Sequence, residues 1–445
     1  MCSTVTELRA ALTSQSPSPD LGTGRRWRIA ALLGIGVLVN IFDRVNLSVA
    51  VVAMQQEFGL STVAVGYLLS TYAWTYLLLQ LPAGTIVDRL GVRPVICAGT
   101  FFWSVASFLT SIARGFTGLA ASRLLLGIAE SPTFPANGKA ISLWFPREQR
   151  GLATALFDSA AKLAPAVGIP LVAVVAHLWG WRSSFVLTGV FSFAYFLLFW
   201  RVYRDPPDDP RLSLAEGQQI RAGGGYQTAV TSRGAPLWFL LRRKKVWGVA
   251  LGMLAYNYNF YLLLTWLPGY LNATMGLDVL HAGLYTTVPW VAATAADLVV
   301  GGWLVDRLIR RGYDATWVRQ SVLVGGMLAA LAIIGAARTT DLTVATFWIS
   351  VALSGLAVTG PVVWSIPGLI APAGSTGRVG GIMNFAGNIP AVAAPIITGY
   401  LVGTSRSFER AFLVAAALLV GGILSYIFLL GKIETIPAPA VTSSR

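Results

Sequence analysis

Charge is scarce in this chain. Only 12% of its 445 residues are Asp, Glu, Lys or Arg, about half the share usual in a soluble domain, while 55% are hydrophobic. A soluble fold has no core able to hide that much apolar surface. Cysteine and histidine are scarcer still: Cys2, Cys97, His177 and His281 are the whole supply. Two distant cysteines exclude a disulfide framework, and two histidines exclude a histidine-based metal cluster. No metal or organic cofactor is expected. Phosphate-loop, nucleophile-elbow and HExxH patterns are missing too, which argues against ATP-driven transport and against a membrane enzyme. Residues 1–26 are polar and lack the basic-then-apolar plan of a cleaved leader, so the first apolar run is expected to stay.

What the chain has is apolar runs of about 20 residues, the length that crosses ~30 Å of hydrocarbon as a helix. They do not alternate over ten residues as barrel strands would. Twelve spans are expected: 29–53, 64–86, 93–113, 117–143, 152–178, 183–203, 246–271, 282–305, 318–337, 342–370, 378–402 and 409–431. The longest polar connection divides them six and six. The expected organisation is a tail over 1–28, a first bundle over 29–203, a central loop over 204–245, a second bundle over 246–431 and a tail over 432–445. Placing the termini in the cytoplasm puts twenty-four of the 33 Lys and Arg on that side and five on the other. That asymmetry predicts both termini inside. It also assigns the net charge of +14 to topology, not to nucleic-acid binding. Membrane lipid is the expected surroundings, with RRKK at 242–245 as a topology anchor, and a monomer is expected.

The halves echo each other. GTIVDRLGVR (84–93) follows span two and GGWLVDRLIRRG (301–312) follows span eight, with Gly84, Asp88 and Arg89 matched by Gly302, Asp306 and Arg307. Arg150 lies seven before Phe157, and Arg378 seven before Phe385. A six-plus-six repeat suits two bundles that enclose a midplane site and rock about it. Twelve spans, the long central loop and Gly84-x-x-x-Asp88-Arg89-x-Gly91-x-Arg93 resemble the major facilitator superfamily. The resemblance implies an all-α membrane protein with two pseudo-symmetric six-helix bundles. It also implies that Gly84, Asp88, Arg89, Gly91, Arg93, Asp306 and Arg307 form a conformational latch, closed when the carrier faces outward. The plainer reading is a cytoplasmic turn carrying topology anchors.

Away from the span ends, eight charges fall inside spans: Asp43, Arg44, Arg123, Glu130, Lys139, Asp158, Lys162 and Asp297. Each costs several kcal/mol unless partners or water offset it, so each is a functional candidate. Arg123 and Glu130 lie seven apart, about 10 Å along a helix axis, and are expected to meet other helices. Pro132 and Pro135 loosen the helix beside Glu130. A buried arginine presents a fork that matches a carboxylate. Burial raises a carboxylate's proton affinity toward neutral pH. Together they are the minimal equipment for proton-coupled anion transport. Mutual neutralisation, Asp43 with Arg123 or Arg44 with Glu130, is the alternative.

DRVNLSVA in span one, YAWTYLLLQLPAG in span two, SRLLLGIAESPTFPA in span four and NFAGN in span eleven are similar to the anion:cation symporter family, most of all to bacterial proton symporters for sugar acids such as D-galactonate and hexuronates. That resemblance implies Asp43 and Glu130 as the proton-coupling pair, with the proton as the coupling ion. It implies Arg44 and Arg123 as anion-binding or gating groups, and Tyr76, Trp364, Ser365 and Asn384 as pocket residues. On residue type alone those four are equally ordinary helix packing. One departure stands out in FDSAAKLAP (157–165): Ala161 replaces the glutamine of galactonate-type relatives. Lys162 then either contacts substrate or neutralises Asp158 four residues earlier. Lys139 is expected to snorkel at the cytoplasmic end, and Asp297 has no assigned role. The expected function is import of a small organic anion, a sugar acid, with protons. An aromatic acid or dicarboxylate importer, an exporter or uniporter of the same fold, and a non-transporting sensor remain open.

Overall fold

The structure, a computed structural model, describes residues 24–146, 149–225, 235–372 and 375–437, with only the backbone described at 81, 151, 155, 157–159 and 162. Twelve helical spans follow one another. They are α1 (Arg25–Phe58), α2 (Thr62–Leu90), α3 (Val92–Ile112), α4 (Phe116–Glu130 continued by Thr133–Trp144), α5 (Arg150–Trp179) and α6 (Trp181–Val202). The second set is α7 (Lys244–Met275), α8 (Val279–Arg310), α9 (Ala315–Ala337), α10 (Leu342–Ile370), α11 (Thr376–Ser405) and α12 (Glu409–Leu430). Nine of them, among the described residues, are long and apolar enough to cross a bilayer by composition alone. The other three are α4, α5 and α7. In α4 the helix breaks at Ser131–Pro132. In α5 only Leu163–Trp179 is a sustained apolar helix. α7 carries Asn257 and Asn259 in mid-span.

Each set of six packs as one bundle, α1 on α5 and α3 on α6 in the first, α7 on α11 and α8 on α10 in the second. The bundles meet along α2–α11, α5–α8 and α1–α7. The repeat is visible in atomic detail at the starts of α2 and α8. Ser61 caps α2 by accepting from the Ala64 N–H, and Asp278 caps α8 by accepting from the His281 N–H, as cap residues do. Five residues on, Gly66 and Gly283 face the opposite bundle. A Cβ on Gly66 would lie 2.6 Å from the Pro395 carbonyl oxygen, and one on Gly283 would lie 2.3 Å from the Ala173 Cβ. The Tyr67 and Tyr400 hydroxyls are 3.3 Å apart across the same seam. Close backbone crossing through small residues is how helices associate in lipid. At the other ends of these helices, Gly84, Gly377 and Gly381 have open space around them, and Trp364 and Phe385 are exposed. The bundles are therefore sealed on the face opposite the termini and parted on the terminal face.

The repeat then slips by one. Ser61 to Asp88 is 27 positions, and Asp278 to Asp306 is 28. The extra residue is absorbed by a π-helical segment, Asp297–Leu304, the usual way a helix accommodates a single insertion. Asp297 opens that segment and is buried.

On the terminal face, Glu216 accepts from the Arg25 and Arg26 backbone N–H groups at 3.0 and 3.1 Å, capping α1. Arg25 also pairs with buried Asp209 at 2.8 Å. The matched arginines at the starts of α5 and α11 each grip one end of the central connection. Arg150 donates to the Gly224 carbonyl at 2.8 Å, and Arg378 donates to the Ala235 carbonyl.

Candidate functional site: an arginine-walled midplane cavity

The α1 helix carries Asp43 and Arg44 about 100° apart, and the structure sends them into different compartments. Arg44 points between the bundles. Its Nε donates to Glu130 Oε2 at 2.8 Å, and both side chains are nearly buried. Its guanidinium lies 5.1 Å from the Tyr72 ring and 4.9 Å from the Tyr76 ring, within cation–π range. Glu130 can reach it because α4 ends there and restarts at Thr133. Arg123, one side of the same cavity, lies 5.1 Å from the Phe185 ring and donates to the Asp43 main-chain carbonyl at 3.1 Å.

Asp43 turns the other way, into the first bundle. Its Oδ1 accepts from Ser107 of α3 at 2.6 Å and its Oδ2 from Ser192 of α6 at 2.7 Å. Beyond it, Asn46 donates to Thr188 at 3.1 Å and accepts from Ser184 at 2.7 Å. Of the two neutralising pairs weighed above, Arg44 with Glu130 forms. Asp43 meets Arg123 only through its backbone oxygen.

The cavity is lined by Arg44, Leu47, Leu69, Tyr72, Arg123 and Tyr261, with Thr265 and Ala391 closing it. About 20 Å³ is left inside, room for a water and not for a sugar acid. Two polar atoms face no protein partner among the described residues, Arg44 Nη2 and Glu130 Oε1, as do Arg123 Nε and Nη2. The site thus presents unused guanidinium donors toward the cavity, which suits an anion.

Other candidate residues stand apart from it. Tyr76 belongs to the Arg44 site. Trp364 is exposed toward the parted face, Ser365 donates to the Val362 carbonyl of its own helix, and Asn384 accepts from Asn388. The side chains of Asp158 and Lys162 lie outside the described residues. Lys139 does more than snorkel: its Nζ donates to the Val87 carbonyl at 2.9 Å, capping α2, and sits 3.3 Å from the Asp88 carboxylate. Asp88 therefore pairs inside its own bundle. Gly91 takes a φ of +85° to link α2 to α3, a conformation that favours glycine. Arg93 donates to the Trp200 carbonyl, and the Arg307 guanidinium lies over Trp303. Gly84, Arg89 and Asp306 make no contact across the bundles among the described residues. Residue reading missed Tyr72, Tyr261 and the two serines. Their one sequence signal is spacing, since Tyr72 lies one turn before Tyr76.

The family model of the Major Facilitator Superfamily matches residues 33–395. The chain belongs to that superfamily. It is a multi-pass membrane transporter, not an enzyme. It is 39% identical over 414 residues to a Bacillus subtilis protein named "Uncharacterized transporter YybO", covering 92% of this chain and 95% of that one. It is 33% identical over 420 residues to the D-galactonate transporter of Escherichia coli O6:H1, covering 93% and 97%. A crystal structure of a bacterial homologue of the human lysosomal transporter Spinster, inward-facing and unoccupied, superposes with a TM-score of 0.75 at 18% identity, covering 92% and 98%. That likeness establishes the superfamily's fold in two six-helix bundles.

Proposed function

We propose that the chain imports a small organic anion, a sugar acid, in symport with protons across the cell inner membrane. The observation that carries this reading is the Arg44–Glu130 pair on the wall of the cavity. A substrate carboxylate and the Glu130 carboxylate compete for one guanidinium. Protonating Glu130 frees Arg44, and the substrate takes the vacated place between Tyr72 and Tyr76. Arg123 supplies further donors. With the termini cytoplasmic, the arrangement described is the inward-facing, empty one. Here Glu130 has returned to Arg44 and the two neutralise each other, which permits the empty carrier to reset. Relatives named for D-galactonate and sulfoacetate transport support an acid of a few carbons as cargo. Asp43 serves as the second proton site, and the latch residues hold the terminal face shut in the outward state.

The test uses purified protein in proteoliposomes with labelled D-galactonate. Glu130→Gln is expected to keep counterflow exchange and lose accumulation driven by a pH gradient. Normal uphill accumulation by that variant removes Glu130 from the coupling role. A thermal-shift panel of sugar acids, aromatic acids and dicarboxylates decides the cargo class.

A further inference from the structure

Asp43 is a buried carboxylate with no ion-pair partner among the described residues. Its counterparts in the site are treated differently, since Glu130 has Arg44 at 2.8 Å while Asp43 has two hydroxyls, Ser107 at 2.6 Å and Ser192 at 2.7 Å. The charged groups facing it are Arg123, which spends its donor on the Asp43 carbonyl, and Glu130, both from α4. From α3 and α6 the described residues bring only hydroxyls to it, Ser107 from α3 and Ser192 and Thr188 from α6.

Ser107 is set apart from its neighbours on α3. Ser104 and Ser111 turn back onto the carbonyls of Phe101 and Phe108, each at 2.7 Å, the ordinary resting place of a helical serine. Ser107 turns outward instead. On α6, Ser184 reaches its own helix at the Trp181 carbonyl as well as Asn46, and among the described residues Ser192 makes no bond to its own helix.

We propose that Ser107 and Ser192 are positioning residues that build a proton site at Asp43, inside the first bundle and apart from the anion cavity. This rests on the proton-coupled reading above. An arginine beside Asp43 would hold it ionised, and an apolar cage would hold it protonated. Two hydroxyls do neither, because a hydroxyl both donates and accepts. When Asp43 is ionised, both serines donate to it. When a proton binds one oxygen, the carboxyl O–H donates to the facing serine. That serine's own O–H then swings onto its helix carbonyl, as Ser104 and Ser111 already do. One proton enters, and no buried group is left unpaired.

The experiment is an infrared titration of purified protein in detergent, without substrate, following the carbonyl stretch of a protonated carboxyl. A Glu130→Gln background removes the acid paired to Arg44, and Asp43→Asn identifies the band. Ser107→Ala and Ser192→Ala each remove a donor to the ionised form. Each is expected to move the titration to higher pH by about one unit. Ser107→Thr and Ser192→Thr keep the hydroxyl and are expected to leave it in place. Where an alanine variant is not recovered folded, Ser→Cys, nearly isosteric with a weaker donor, is expected to move it the same way. A band that titrates yet is unmoved in every serine variant overturns the proposal and leaves the proton-coupled reading standing. No band lost in Asp43→Asn overturns both roles given to Asp43.

Discussion

The two bundles share a frame and differ in chemistry. Ser61 and Asp278 cap equivalent helices, Gly66 and Gly283 make equivalent crossings, and Arg150 and Arg378 grip opposite ends of the central connection. Yet the first bundle supplies Arg44 and Arg123, with Glu130 paired to Arg44, while the second brings Tyr261, Leu264, Thr265 and Ala391 to the same cavity. In the proposed mechanism the repeated features govern how the halves move against each other and the unrepeated ones govern what is bound. An intramembrane charge is costly, and in that mechanism one bundle holds the anion and the other encloses it.

The contrast breaks most clearly at Arg44. Arg44→Lys keeps the charge but loses the planar fork and its stacking on Tyr72 and Tyr76. Uptake is expected to fall about 100-fold, measured as initial rate in proteoliposomes. Tyr261→Phe, on the other bundle's side of the cavity, is expected to cost less than tenfold, in line with one neutral hydrogen bond. Equal losses from the two would remove the asymmetry.

Shared features should respond as a pair. Gly66→Val and Gly283→Val each force a side chain into a crossing with no room for a Cβ. Overpacking of this kind costs about 1–3 kcal/mol, so each is expected to shift the carrier about 10-fold away from the state sealed opposite the termini. Cysteine labelling of Tyr67→Cys reports the opening. A response from one glycine alone would mean the seam is not built symmetrically.

The latch turn is a smaller effect. Lys139→Gln removes the cap on α2 and the partner of exposed Asp88. A loss of about 0.5 kcal/mol is expected in thermal unfolding.

Smallest of all is the clamp at the far end of α1. There Glu57 Oε2 accepts from Trp181 and from Arg182, both at 2.7 Å, and these donors hold its carboxyl below the usual carboxylate range. A value lower in the folded than in the unfolded protein stabilises above the unfolded value and fades as pH falls through the folded one. Glu57→Gln is therefore expected to lower thermal stability slightly at pH 7, with the difference shrinking as the medium is acidified. Its half-exposed setting keeps the effect under about 1 kcal/mol.

Much of this was legible in the residues. Twelve apolar runs, the K/R asymmetry and the Gly-x-x-x-Asp-Arg echo required a helical membrane repeat, because apolar length and turn chemistry are local properties. The roles of Arg44 and Glu130 were legible as candidates, because a charge in an apolar run stands out whatever surrounds it. The break at Ser131–Pro132 was legible from proline. Direction was not. Asp43 and Arg44 are neighbours in the chain, and the fold sends the Asp43 carboxylate behind the cavity wall to Ser107 and Ser192, 64 and 149 positions away. Nor could a residue count alone show that the extra position in α8 becomes a π-helical segment opened by Asp297. The sequence by itself determined the class, the helices, the repeat and the cost of each buried charge. Only the tertiary structure decided which partner meets that cost, since partners on other helices are chosen by packing and not by distance along the chain.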